Sequence, residues 1–323
     1  MVGKVVLDMS LKLYRTVFPS PPPPPTVKFG RLPTLDFPES PKVGISYTLE
    51  TPEGDFPVLP NQEKVYFMPK INPNLLSLDV AKQKAKELGF EGEPEQVSDT
   101  IYKFSNIEFP STLEMNIVTG TFSISYDLNA DRTAIEKKPP ISEIASNSIK
   151  SYLEGADILP ADLTGPITHQ FLKLSEGKFV NALSLSEGDV IKVNFFRKSY
   201  DEIPTLTQSP DEANVWFILG GSQDKNQQIL AGEFHYYPVD ESQFSTYPIK
   251  TPAVAFQELQ SGSAFIANQG LVKDGENLKI RRVYIAYFDS ESPTEFLQPI
   301  YVFEGDKGFM AYVPAITPDY YGE

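Results

Sequence analysis

At 323 residues, 41% hydrophobic and 22% charged, the chain is long enough for two or three domains and has the balance of a globular protein. Its net charge of −15 argues against nucleic acid as a partner, because a phosphate-binding surface needs a basic patch and none is visible. With no cysteine in the chain, disulfides, thiolate metal sites and cysteine nucleophiles are excluded.

The 29 prolines, 16 tyrosines and 22 phenylalanines favour a sheet-rich fold, since proline limits long helices and aromatic residues suit strands. No segment is long and apolar enough to span a bilayer. The N-terminus nevertheless has helical apolar spacing at Val5, Val6, Met9, Leu13, Val17 and Phe18. Five consecutive prolines follow at 21–25, a stiff polyproline spacer of about 3 Å per residue. The expectation is that 1–18 is the amphipathic juxtamembrane end of an anchor, and 19–41 a proline-rich stalk.

A first helix-plus-sheet unit is expected over 42–138. Strands over 43–51 (alternating Val43, Ile45, Tyr47 and Leu49) and 64–71 are expected to form a hairpin across the intervening loop. A helix follows over 78–90, with Ser77 as cap, Gly89 as left-handed terminator, and Leu78, Ala81, Ala85 and Leu88 on its buried face. Strands come next over 100–106, 113–119 and 121–128, with a turn at Thr119 and Gly120.

The second unit, 139–247, opens with Pro139, Pro140 and a helix over 141–155 ended by Gly155. Its apolar face is Ile141, Ile144, Ala145, Ile149, Tyr152 and Leu153. Strands are expected over 169–175, 179–185, 189–199, 214–221 and 229–239, with turns at Glu176–Gly177 and Glu187–Gly188. Adjacent aromatics such as Phe195 and Phe196 must point to opposite sheet faces, which implies helices on one side and a partner or domain on the other. A third unit spans 248–318 and leaves a tail at 319–323. Thr251 caps its helix, Pro252 takes the first turn and Gly262 ends it; strands over 281–290, 296–305 and 309–316 follow.

Motifs that carry chemistry are few. His169 and His235 are the only histidines, so a three-histidine zinc site is impossible, and both fall in alternating strand segments. Ser222 in the 220–224 run lacks the nucleophile-elbow pattern and reads as a polar hairpin tip. Ser146 and Lys150 are four apart on a helix, a spacing common on any helical surface. Asp127, Asn129 and Asp131 have calcium-loop spacing, but Arg132 and Lys138 stand where glycine and glutamate are needed. No catalytic, cofactor-binding or metal-binding residue is therefore singled out.

In the C-terminal block, AVAFQELQSG, VYIAYFDS, LQPIYVFEG and FMAYVPAI, with Tyr284, Tyr287, Pro299, Tyr301 and Phe303, resemble the last domain of the YycI/YycH family of bacterial envelope regulators. They are similar more broadly to PepSY-type domains. The resemblance is clearest over 251–316 and extends weakly to the helix over 78–90. It implies an extracytoplasmic, tethered α+β protein that regulates a sensor kinase or peptidase by contact, with no catalytic set to carry over.

The sequence thus predicts an α+β fold of repeated units, each one helix packed on a small antiparallel sheet. The expected function is non-enzymatic: a membrane-tethered protein at the extracytoplasmic face or cell surface, binding an envelope protein or peptide and using no cofactor. The alternatives are a carbohydrate-active surface hydrolase with paired carboxylates and a purely structural surface protein.

Overall fold

The computed structural model describes residues 23–39, 44–70 and 77–322. The segment expected as an amphipathic helix, 1–18, lies outside the described residues. The rest is α+β, arranged as two bodies joined along a buried seam.

The first body is a nine-stranded antiparallel sheet. In spatial order its strands are β3 (Glu95–Gln96), β4 (Ile101–Ser105), β5 (Ser111–Asn116), β6 (Phe122–Tyr126), β12 (Ile229–Phe234), β11 (Val215–Leu219), β9 (Val190–Phe195), β7 (Ile167–Ser175) and β8 (Lys178–Asn181). The junction is β6 against β12, where Phe122 lies opposite Phe234 with the two rings stacked at 4.9 Å. Strands expected in two separate units therefore run into one sheet.

Helices α1 (Ser77–Glu87) and α2 (Ser142–Gly155) cover one face. Ala81, Ala85 and Leu88 from the α1 region, and Ala145, Ile149 and Leu153 from α2, pack on Phe104, Phe195 and Phe217. Period-two alternation sends Trp216 and Lys192 to the opposite face, where the lysine ammonium sits 4.0 Å from the indole. That face is closed in part by the chain itself: Ala134 from the segment after β6 packs against Ile218 and Leu230. The layer anticipated from a partner or domain is here partly the protein's own loop.

The second body draws on both ends of the chain. A six-stranded mixed sheet runs β1 (Ser46–Leu49), β15 (Asn277–Phe288), β17 (Pro299–Gly305), β18 (Met310–Pro314) and β14 (Phe265–Asn268), with β10 (Thr205–Leu206) also beside β15. Both β1 and β10 are parallel to β15. Helix α4 (Pro252–Gln260) covers one face through Ala255, Phe256 and Leu259. A small sheet completes the body: β13 (Asp240–Pro248), β2 (Gln62–Phe67) and β16 (Phe296–Leu297).

The expected hairpin between the first two strands is therefore absent. β1 pairs with β15, and β2 with β13 and β16. The linker between them carries Pro52, Pro57 and Pro60, which lack the N–H a ladder needs.

Residues 23–39, expected as part of a stalk, form a strap across this body. Leu32, fully buried, donates its N–H to Tyr320 O at 2.9 Å and accepts from Gly322 N at 3.0 Å. Phe37 stacks on Phe265 at 5.0 Å and meets Phe288 edge-on at 4.8 Å.

Helix ends differ in how well the sequence marked them. Thr251 caps α4 by accepting from Val254 N at 3.4 Å, and Gly262 is left-handed at φ +80°. Gly89 is left-handed at φ +91°, as its position after α1 suggested. Gly155 is not left-handed; the chain turns at Asp157, φ +51°. Ile141 and Ile144, expected on the buried face of α2, are 50% and 54% exposed. Ser146 takes a buried position in their stead.

Candidate functional site

A recess of about 990 Å³ forms a groove on the helical face of the nine-stranded sheet. It lies between the end of α1, the outer side of α2 and the loop joining β11 to β12, which contains α3 (Lys225–Gln228). Ile144 and Tyr152 contribute apolar wall; Asn147, Ser148 and Ser151 present short polar groups along α2. Short side chains on one helix face let a bound chain come close to the helix surface.

The loop is brought into place by close backbone approaches. A Cβ on Gly221 would lie 2.1 Å from Lys137 O, and one on Gly89 would lie 2.6 Å from Asn226 Oδ1. Asp224 caps α3 by accepting from Asn226 N at 2.9 Å. Tyr152 ties the helices together by donating to Leu88 O at 2.9 Å, and burial pushes its phenol up.

Three lysines border the groove. Lys86 lies 3.8 Å from Glu91, and Lys138 donates to Gly188 O at 3.0 Å and lies 3.7 Å from Asp189. Lys225 has no ion pair among the described residues. Glu87 is occupied: hydrogen bonds from Gln83 and Lys84 hold its carboxyl below the usual range. The uncommitted charge on this groove is thus positive, on a chain of net charge −15.

Of the chemistry-bearing residues read from sequence, only Ser222 lines this groove. Ser146 is buried and contacts His169 Nε2 at 2.7 Å, not Lys150. Its hydroxyl donates to Ser142 O at 3.0 Å, so the histidine nitrogen donates to the serine oxygen. Burial lowers the His169 pKa. That geometry ties α2 to β7. His235 lies 2.9 Å from Glu233, which raises its pKa. Ser222 is held in the loop, donating to Gln227 Oε1 at 2.6 Å. Asp131 accepts from Tyr126 OH at 2.5 Å and from Thr133 and Gln227, and these bonds hold its carboxyl below the usual range.

A second, shallower cleft of about 580 Å³ lies on the other body, where Glu63, Asp201, Glu202 and Tyr284 meet. Burial pushes the Glu63 carboxyl up. Hydrogen bonds from Lys64 (2.8 Å) and the Tyr66 hydroxyl (2.6 Å) hold Asp201 down. Asp201 and Glu202 occupy a tight turn with φ +48° and +67°, closed by reciprocal bonds between Tyr200 and Ile203 of 3.0 and 2.9 Å. Two consecutive left-handed residues without a glycine store backbone strain. Sequence reading missed this pair because its members come from β2 and from a turn more than a hundred residues later, with no shared motif.

Between the bodies lies a buried charge cluster. Arg197 donates to Asp162 Oδ2 at 2.5 Å, and its Nε lies 3.2 Å from Asp289 Oδ1. Tyr200 donates to Asp162 at 2.9 Å, and Arg197 also donates to Tyr237 O at 2.9 Å. Each ion comes from a different loop at a strand or helix end, which is why no local pattern announces them.

No protein-family model matches the chain, and no curated protein matches it. Among solved structures it is similar to the crystal structure of an uncharacterized protein from Eubacterium rectale ATCC 33656. The two share 11% identity and a TM-score of 0.37 over 80% of this chain and 84% of that one. Neither a fold family nor an activity is taken from that likeness. Among the described residues no helix is long and apolar enough to cross a membrane, and no cluster of His, Cys, Asp or Glu has metal-ligand geometry.

Proposed function

We propose that this chain is a non-enzymatic binding protein that takes an extended acidic segment of a protein or peptide partner into the groove between α1, α2 and the β11–β12 loop. The groove itself is the observation that carries this reading: about 990 Å³, an apolar wall, a row of short polar side chains on α2, and one unpaired lysine at its border. Its size suits a ligand site, and the free Lys225 gives an acidic ligand a complement.

The resemblance of 251–316 to YycI/YycH and PepSY-type domains supports placing the protein at the extracytoplasmic face of a bacterial membrane or at the cell surface. On that resemblance, its helix-plus-sheet block belongs to a repeated unit, and the partner is a sensor kinase or peptidase. The sequence ahead of the strap, with its apolar spacing over 1–18, fits a tether between such a surface and the folded part.

The test is fluorescence anisotropy with two decapeptide pools, one mixing Asp and Glu with Leu and Ile, the other using Lys and Arg in place of the acids. The acidic pool is expected to bind saturably, and Ser151→Trp, which fills the groove from the α2 side, to abolish it. Equal binding of both pools, or no effect of Ser151→Trp, rules the groove out.

One observation favours a second reading. Glu63 and Asp201 line one cleft with proton affinities pushed apart, the arrangement a two-carboxylate hydrolase needs. Turnover of a glycan panel that is lost in both Glu63→Gln and Asp201→Asn would establish that reading over the first.

A further inference from the structure

A third recess, of about 640 Å³, opens where the N-terminal strap, the β5–β6 turn and the loop between β15 and β16 meet. We propose that it is a binding site for a positively charged amine joined to an aromatic or aliphatic group, as a peptide N-terminus or a free aromatic amine presents it. It lies on a different surface from the groove, so it stands or falls independently of the function proposed above.

The walls come from segments far apart in the chain, and several are anchored by packing or hydrogen bonds. Phe288 is 1% exposed and clamped by Phe37 at 4.8 Å, so it supports the floor of the recess from beneath. Tyr237 stands on another wall, its own carbonyl held by Arg197 at 2.9 Å. Pro33, Pro69 and Pro293 add ring faces whose backbone is already restricted. Gln298, 1% exposed, fixes the strap wall by donating to Pro33 O at 3.0 Å. Interiors are close-packed, and voids much larger than a water are few. Here an apolar recess of ligand size persists between elements of which several are held in place.

Its polar groups say what would fill it. Among the described residues, three charged ones line the recess: Asp36, Lys70 and Glu295. Lys70 and Glu295 are ion-paired with each other and neutral together. Asp36 is exposed on the strap and has no ion pair or side-chain hydrogen bond among the described residues. The uncompensated charge of the recess is therefore one carboxylate. Inside, Ser290 is 7% exposed; its oxygen accepts from Ser292 N at 3.1 Å, which leaves its own O–H free to donate. An apolar group against Tyr237 and the proline rings, a cation at Asp36 and an acceptor at Ser290 form one complementary set. A free amino-terminal residue, with its ammonium, side chain and carbonyl, has those three features.

The test is isothermal titration calorimetry on the whole chain with four probes. Phenylalaninamide and Phe-Ala-Ala amide carry the ammonium; their N-acetyl forms keep the ring and lose the charge. The charged probes are expected to saturate, and to bind the Asp36→Asn variant about tenfold more weakly, the worth of one hydrogen bond to a charged group. The acetylated probes should be indifferent to Asp36→Asn. Thr34→Trp and Thr119→Trp, on facing walls, should each weaken the charged probes, while Ser151→Trp in the groove should not. Tighter binding of Phe-Ala-Ala amide identifies a peptide N-terminus; equal or weaker binding identifies a free amine. No saturable binding, or charged probes that bind all the recess variants as tightly as the parent, overturns the proposal.

Discussion

The two bodies of this protein are both sheets with a helical layer, yet the chain builds them in opposite ways. Every strand of the nine-stranded sheet lies between Glu95 and Phe234, and all its pairings are antiparallel. The other body is assembled from the ends. Ser46 pairs with Asn277, Gln62 with Pro248, and Leu32 bridges to Tyr321. Bringing such distant segments together costs loop-closure entropy before the contacts repay it. The comparison teaches where cooperativity resides: the first body pairs near neighbours except at the one long-range junction of β6 with β12, while the second depends on residues that lie before the first in sequence.

The seam is the place to break that dependence. Arg197 is almost wholly buried between Asp162 of one body and Asp289 of the other. Arg197→Met removes the only cation of the cluster and leaves two buried carboxylates facing each other. A loss of about 3–5 kcal/mol is expected, read as a lowered midpoint in urea unfolding. Replacing all three ions with apolar residues should restore most of it, because desolvating the ions offsets much of their attraction. An unchanged midpoint in Arg197→Met would show that the seam contributes nothing to holding the bodies together.

Leu32→Ala tests the strap. Removing a fully buried leucine costs about 2–5 kcal/mol. The comparison adds that the loss is local. In native-state hydrogen exchange, amides of β1, β15 and β18 should lose protection, and amides of β6, β11 and β12 should keep theirs. Uniform loss across both sheets would mean that the bodies unfold as one unit.

Acidity acts on the seam in a direction that can be worked out. Burial pushes the Asp289 carboxyl above the ordinary range, with Arg197 pulling against it. A carboxyl with a raised folded-state pKa binds more protons folded than unfolded. Its contribution is fully present below the ordinary aspartate value and is lost as pH rises through the folded value. Asp289→Asn lacks this dependence. The stability of the parent relative to the variant should therefore fall as pH rises above the ordinary aspartate range. A difference that moves the other way would show that Arg197 holds the carboxylate charged.

Much of the local structure was legible in the sequence, and the reason is periodicity. The strands over 121–128 and 189–199 and the helix at Thr251–Pro252 carry alternation, capping and glycine signals within a few residues. What escaped was non-local. β13, with the polar sequence DESQFSTYP, has four consecutive exposed residues from Glu241 to Phe244 and so little alternation to read. β14 spans four residues, too short for a pattern. The pairing of β1 with β15 instead of β2 depends on a surface that exists only after the C-terminal sheet has formed. The groove, the Glu63–Asp201 cleft and the Arg197 cluster share that origin: each joins residues from segments whose spacing carries no motif.

The smallest effects sharpen the comparison at the helix starts. In the C-terminal body, α4 begins with a working cap, and Thr251→Ala should cost about 1 kcal/mol. In the nine-stranded body, α2 begins at Ile141, which has extended backbone angles suited to a cap (φ −66°, ψ 158°) and no side chain to serve as one. Ile141 is also 50% exposed, so replacing it forfeits little burial. Ile141→Asp supplies an acceptor for the unpaired first-turn N–H groups and a negative charge at the positive helix end. It should stabilise the protein by about 0.5–1 kcal/mol in urea unfolding, with the nearby Glu143 carboxylate trimming the gain. A loss of stability instead would mean that Ile141 packs against something its exposure does not reveal, and would mark that end of α2 as part of a contact surface.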